Sequence, residues 1–223
     1  MSDPVSGGST RLPQDLTSQW VQAIVASALV GIAMGGIAYA VRQALDQTSP
    51  NAGAFATLLL FVTEIVCAVP SFAVYANRTG AILRRLLPAF PTLTWYALHV
   101  MLGVALGAIV AYVERGVEPA PHDPPALSLV MSAAFGGVLA GLALGAAIGA
   151  LQALALRKAA RTVGRWVTWS TVGGAAFGLF ALALYVPGDH SIASEMRTLG
   201  LGAVIAVLAG LALLPAVHRL EPR

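Results

Sequence analysis

Six apolar stretches, separated by short polar segments, organise this chain of 223 residues. An α-helix needs about 20 apolar residues to cross a hydrocarbon layer about 30 Å thick. The stretches near 20–42, 53–76, 93–113, 127–156, 166–186 and 198–217 meet that requirement. They lack the alternation of barrel strands, and in lipid every backbone polar group must be paired within its own segment, so helices are predicted. The expected fold class is all-α: a polytopic membrane protein with a six-transmembrane-helix bundle over 20–217. A flexible tail is expected over 1–19 and a short one over 218–223. The fourth stretch is the longest and is expected to tilt or to project beyond the bilayer. With only Arg11 ahead of a full-length span, the start does not have the layout of a cleavable signal peptide.

Loop charge orients the bundle. With the N-terminus inside, the cytoplasmic segments hold Arg11, Arg78, Arg84, Arg85, Arg157, Lys158, Arg161, Arg165, Arg219 and Arg223, and the opposite side holds Arg42, Arg115 and Arg197. Ten against three follows the positive-inside rule and places both termini in the cytoplasm. Trp20, Trp95, Tyr96, Trp166 and Trp169 fall at the inner surface, and Tyr39, Tyr112 and Tyr185 near the outer one, as interfacial aromatics do.

Composition agrees. The chain is 57% hydrophobic and 10% charged, against about a quarter charged in soluble domains, with a mean hydropathy of +0.78. The net charge of +3 does not indicate a nucleic-acid partner, because the cations sit in clusters between spans rather than on one soluble face. Arg84, Arg85, Arg157, Lys158, Arg161 and Arg165 instead set topology and meet lipid; the segment from Ala81 to Leu87 is expected to lie in the interface against anionic headgroups. The single cysteine, Cys67, has no intrachain disulfide partner.

Gly137, Gly141, Gly145 and Gly149 recur every four residues and form a side-chain-free stripe along one face of the fourth helix. Lipid gives helices no hydrophobic reason to associate, so close backbone approach through small residues becomes a main source of packing energy. A helix is expected in that groove, from this chain, a second copy or another membrane protein. Glu64 is the acidic residue placed well inside a span, roughly 15 Å from either end of the second stretch. Two readings stay open: a polar site on a proton or ion path, or a protonated acid bonded to Ser, Thr or a carbonyl.

His99 and Gln152 lie at similar depths and are expected to share a hydrogen bond. Axial haem ligation by His99 would require a second imidazole at matched depth, and His218 lies nearer the edge. His122 and His190, beside Asp123 and Asp189 in outer loops, lack ligand spacing. The proline-rich loop from Glu114 to Pro125 is expected to be extended. No phosphate loop, HExxH, GxSxG, CxxC or dinucleotide fingerprint occurs, so no catalytic, cofactor or metal residue is assigned. Leu83-Arg84 and Tyr112-Val113 recur 73 residues later as Leu156-Arg157 and Tyr185-Val186, an echo pairing the second and third helices with the fourth and fifth.

Gly149, Gln152, Leu156, Arg157, Trp166 and Gly173 or Gly174 follow a glycine-rich span. This resembles a pattern in bacterial multi-pass membrane proteins of uncharacterised activity, in which Gly-x-x-Gln-Trp and Leu-Arg precede a loop and a Trp-led helix. Ala153 stands where that pattern has Trp, and the likeness covers about 30 residues. It implies a bacterial inner-membrane setting. The function expected is that of a non-catalytic accessory or scaffold subunit in a larger membrane complex, with a small transporter or channel passing Glu64 as the alternative.

Overall fold

The computed structural model describes residues 15–48, 53–116, 127–179 and 192–223. The chain forms α1 (Asp15–Thr48), α2 (Gly53–Leu86), α3 (Thr92–Gly116), α4 (Leu127–Leu156), α5 (Gly164–Gly174), α6 (Ile192–Ala212) and the single turn α7 (Leu214–Val217). A 3₁₀ segment over 175–179 continues α5. Among the described residues the only β pairing is an isolated bridge between Ala160 and Pro222. Five segments are long and apolar enough to cross a membrane: Asp15–Leu45, Phe55–Leu86, Thr92–Ile109, Leu127–Leu156 and Met196–Val217. The stretch expected over 166–186 is described only as far as Leu179.

Several helices outrun their apolar stretches. α1 takes in Asp15 to Gln19, expected in the flexible tail, because Leu16 and Trp20 one turn apart are both buried. At its other end α1 continues past Arg42, the last residue of the expected stretch, to Thr48. α2 passes Pro70 and ends ten residues beyond the expected boundary. The segment from Ala81 is thus the end of α2 and not an interfacial strip: Ile82, Leu83 and Leu87 are buried while Arg84 and Arg85 stay exposed. Glu64 lies 11 residues from the start of α2 and 22 from its end, about 16 and 33 Å along the axis. It is off the middle of the helix.

The helices pack as a ring in the order α3, α2, α1, α6, α5, α4, with α3 and α4 meeting only sparsely to close it. The main core gathers at one end, where α1, α3 and α5 begin and α2, α4 and α7 finish. Trp20, Leu83, Leu87, Trp95, Leu156, Ala160, Trp166 and Val217 are all nearly or fully inaccessible there. This is the basic end of the bundle, carrying Arg84, Arg85, Arg157, Lys158, Arg161 and Arg165, all exposed. Trp20, Trp95 and Trp166, expected as interfacial residues, are packed inside it. The tail 218–223 is also fixed: Arg161 N donates to Glu221 O (2.9 Å), Arg223 N to Ala159 O (3.0 Å) and Thr162 Oγ1 to Arg219 O (2.7 Å), strapping it across the α4–α5 loop.

The α2–α3 and α4–α5 hairpins are built alike. Trp95 and Trp166, near the starts of α3 and α5, donate their indole N–H to Thr79 and Gln152 on the preceding helices. Fully buried Leu83 and Leu156 each follow those acceptors by four residues. Gly103 and Gly107 stand eight and twelve residues after Trp95, and Gly174 and Gly178 the same distances after Trp166. All four press on the preceding helix: a Cβ at Gly107 would lie 2.7 Å from Ile65 Cα, and one at Gly178 3.0 Å from Ala134 O. α6 and α1 form a third pair, in which Trp20 Nε1 donates to Gly210 O at 3.1 Å.

Candidate functional site

A cluster of buried polar and aromatic side chains occupies the middle of the basic end. Trp166 Nε1 donates to Gln152 Oε1 (2.8 Å), Gln152 Nε2 lies 3.0 Å from His99 Nε2, and His99 Nδ1 lies 2.8 Å from Trp95 O. The direction of this chain follows from what each atom can do. A carbonyl only accepts, so Nδ1 of His99 carries a hydrogen; Gln152 Oε1 is taken by the indole, so its amide nitrogen donates to Nε2. A neutral imidazole with hydrogen on Nδ1 satisfies every partner. The expected contact between His99 and Gln152 is present, and both ring nitrogens are engaged, which leaves neither open to a haem iron.

A second branch runs from Trp95 Nε1 to Thr79 Oγ1 (3.1 Å) and from Thr79 Oγ1 to Tyr75 O (2.7 Å). The rings stack edge to face around it: Trp95 and Trp166 at 5.8 Å, Trp20 and Trp166 at 6.1 Å, Trp20 and Tyr75 at 6.4 Å. Such pairs add about 0.5–1.5 kcal/mol each beyond area burial. The cluster joins α1, α2, α3, α4, α5 and α6, and through His99 and Gln152 it bridges α3 and α4 where the ring is thinnest. Sequence placed these tryptophans at the right end without their acceptors. The equal spacing of Thr79 to Leu83 and Gln152 to Leu156 was the available signal.

The glycine stripe of α4 lies against α5. A Cβ at Gly141 would collide with the Gly174 carbonyl oxygen, one at Gly145 with the Ser170 carbonyl oxygen, and one at Gly149 would lie 2.6 Å from Ser170 Cβ. Gly137 faces the backbone of Phe177 and Gly178 at 3.0 and 3.1 Å. The occupant of the groove is therefore this chain's own helix. Ser170 Oγ, wedged there, is buried with no hydrogen-bond partner among the described residues.

Glu64 is paired with a cation. Arg42 Nη2 on α1 reaches Glu64 Oε1 at 2.9 Å, with side-chain exposures of 27% and 13%. Arg42 reaches it from α1, which runs far enough to bring this side chain into contact with α2.

The basic residues divide into two groups. Arg85 Nη1 donates to Gln19 Oε1 on α1 (3.2 Å), whereas Arg157, Lys158, Arg161 and Arg165 stand exposed on and beside the loop strapped by the tail. His122, His190, Asp123, Asp189, Tyr185 and the proline-rich loop beyond Gly116 lie outside the described residues. Among the described residues no three His, Cys, Asp or Glu side chains gather as a metal site would require. Comparison with family models, with curated proteins and with solved structures gives no match to this chain.

Proposed function

We propose that this chain is a six-span protein of a bacterial inner membrane, with both termini and its Arg-rich loops in the cytoplasm, acting as a non-catalytic accessory subunit of a larger membrane assembly. The closed hydrogen-bond chain from Trp166 through Gln152 and His99 to Trp95 carries this reading. Polar residues inside a bundle mark a pathway when they face water, and mark architecture when they are spent on one another across helices. Here they clamp α3, α4 and α5 together. The transport alternative rests on Glu64, and its ion pair with Arg42 gives that carboxylate a structural task.

Because α5 fills the glycine stripe, association through α4 falls to its other side. Ser132, Gly136, Ala140, Ala143 and Ala147 are exposed there, bordered by Met131, Phe135, Leu139 and Leu144. This second run of small residues would let a partner helix, of another protein or a second copy, approach closely. The test is extraction in mild detergent followed by native gel and mass spectrometry. Wild type should run as a complex, and Gly136→Leu with Ala140→Leu should release a folded single chain. A wild-type protein that is monomeric at native abundance, or a complex indifferent to both substitutions, would count against the accessory reading. Cysteines introduced at Arg84 and Arg161 should be labelled by a membrane-impermeant reagent added outside the cell only after the membrane is permeabilised.

A further inference from the structure

α3 and α4 close the ring of helices with few contacts, and the bond between His99 and Gln152 is the only side-chain hydrogen bond joining them among the described residues. α4 and α5 are held differently. Their backbones press together along Gly141, Gly145 and Gly149. The relay that ends on His99 runs in one direction: the Trp166 indole gives to Gln152 Oε1, the Gln152 amide gives to His99 Nε2, and Nδ1 gives to Trp95 O. Trp166, Gln152 and His99 are 0%, 4% and 1% exposed, so water offers none of them a replacement partner.

A proton on His99 reverses one link of this relay. An imidazolium only donates. Its Nδ1–H still suits Trp95 O, but Nε2–H now points at the N–H of the Gln152 amide. Turning that amide round brings its oxygen to Nε2 and sets its NH2 group against the Trp166 N–H, again two donors face to face. No arrangement of the three side chains satisfies both ends, so the α3–α4 link or the α4–α5 link must break, and the sparsely packed seam is the one that yields. The added charge also lacks a counter-ion. Tyr75 from α2 and Trp95 from the same helix face the imidazole at ring-centroid distances of 5.1 and 4.4 Å, and Gln152 faces it from α4. No carboxylate is within ion-pair distance of it among the described residues. Glu64 lies 11 residues before Tyr75 on α2 and pairs with Arg42, and Asp15, Glu221, Arg78 and Tyr96 are exposed. A buried, unpaired charge is costly, and opening the seam to water relieves it.

We propose that His99 is a proton-operated latch: one proton on Nε2 parts α3 from α4 and opens the ring at that seam, while α4 and α5 stay together. The latch rests on the same relay that carries the accessory reading. The test uses full-length protein with Cys67→Ala, spin-labelled in pairs at exposed positions: Met101→Cys with Leu151→Cys across α3 and α4, and Leu151→Cys with Val172→Cys across α4 and α5. Double electron-electron resonance reads each distance as pH falls from about 8 to about 3.5. The first pair should separate reversibly by about 2 Å or more, the size of a helix shift at an interface, and the second should not move. His99→Gln keeps an acceptor for the Gln152 amide but takes no proton, so its first pair should stay at the neutral-pH distance throughout. Gln152→Glu should hold that distance too: a carboxyl group donates to neutral Nε2 when protonated and accepts from Nε2–H when ionised, and its other oxygen takes the indole in both states. If His99→Gln does not fold, Gln152→Glu decides. A first pair that stays still in wild type, that responds to pH as wild type does in either variant, or that moves only together with the second pair, would overturn the latch. The accessory reading would survive such a result, since the native gel tests it separately.

Discussion

Adding one methyl group to α4 should have opposite consequences five residues apart. At Gly136 a Cβ meets nothing within 4 Å, and Ala is preferred over Gly in a helix by about 1 kcal/mol. At Gly141 the same methyl would collide with the carbonyl oxygen of Gly174 and lie 2.8 Å from Phe177 Cβ. The first obstacle is backbone, so α5 itself must retreat, and Gly145 and Gly149 lose part of their approach with it. Overpacking of this kind costs about 1–3 kcal/mol. With a rigid obstacle the upper end applies, and after the helix-propensity gain Gly141→Ala should be about 2 kcal/mol less stable than wild type. For a chain of this size about 1 kcal/mol moves Tm by about 2–4 °C. Thermal unfolding in mild detergent, followed by tryptophan emission, should then show Gly141→Ala about 4–8 °C lower and Gly136→Ala unchanged or slightly higher. If both variants shift the same way, or Gly141→Ala matches wild type, the close approach of α4 and α5 is refuted.

Two further outcomes follow from the buried polar groups. Gln152→Leu leaves the Trp166 indole N–H and His99 Nε2 without partners; interhelical hydrogen bonds in membranes are worth about 0.6 kcal/mol on average and up to about 1.7, so the two together should cost about 1–3 kcal/mol. Tryptophan emission should shift in the native state as well, and an unchanged spectrum with unchanged Tm would count against the relay. Arg42→Gln takes its cation from the partly buried Glu64 carboxylate, and breaking one member of such a pair costs more than removing both. Denaturation should find Arg42→Gln less stable than the double variant Arg42→Gln with Glu64→Gln; the reverse order would show that the pair does not hold α1 to α2.

Much of the helical layout was legible because span length and loop charge are one-dimensional quantities. Runs of apolar residues long enough for a bilayer must be helical there, so the positions of α1 to α4 and α6 could be read directly. Helix ends were less legible. The periodic burial of Leu16 and Trp20, or of Leu83 and Leu87, extends α1 and α2 into segments whose charges resemble a tail or loop. His99 and Gln152 shared a depth in the sequence, but depth says nothing of azimuth, and only the ring order turns them towards each other. The same applies to Arg42 at the end of the first stretch, whose direction towards Glu64 only the packing of α1 on α2 decides.

The sequence by itself determined that this chain is helical, apolar enough for a membrane, and rich in cations on alternate connections, since those features depend only on composition along one dimension. Tertiary structure decided the partners. Which helix fills the stripe of Gly137, Gly141, Gly145 and Gly149, which carbonyl receives Trp20, and which charge meets Glu64 all depend on how six helices rotate and order around a ring. Helical periodicity specifies the faces, but the pairing of faces is settled only when packing is resolved among all of them at once.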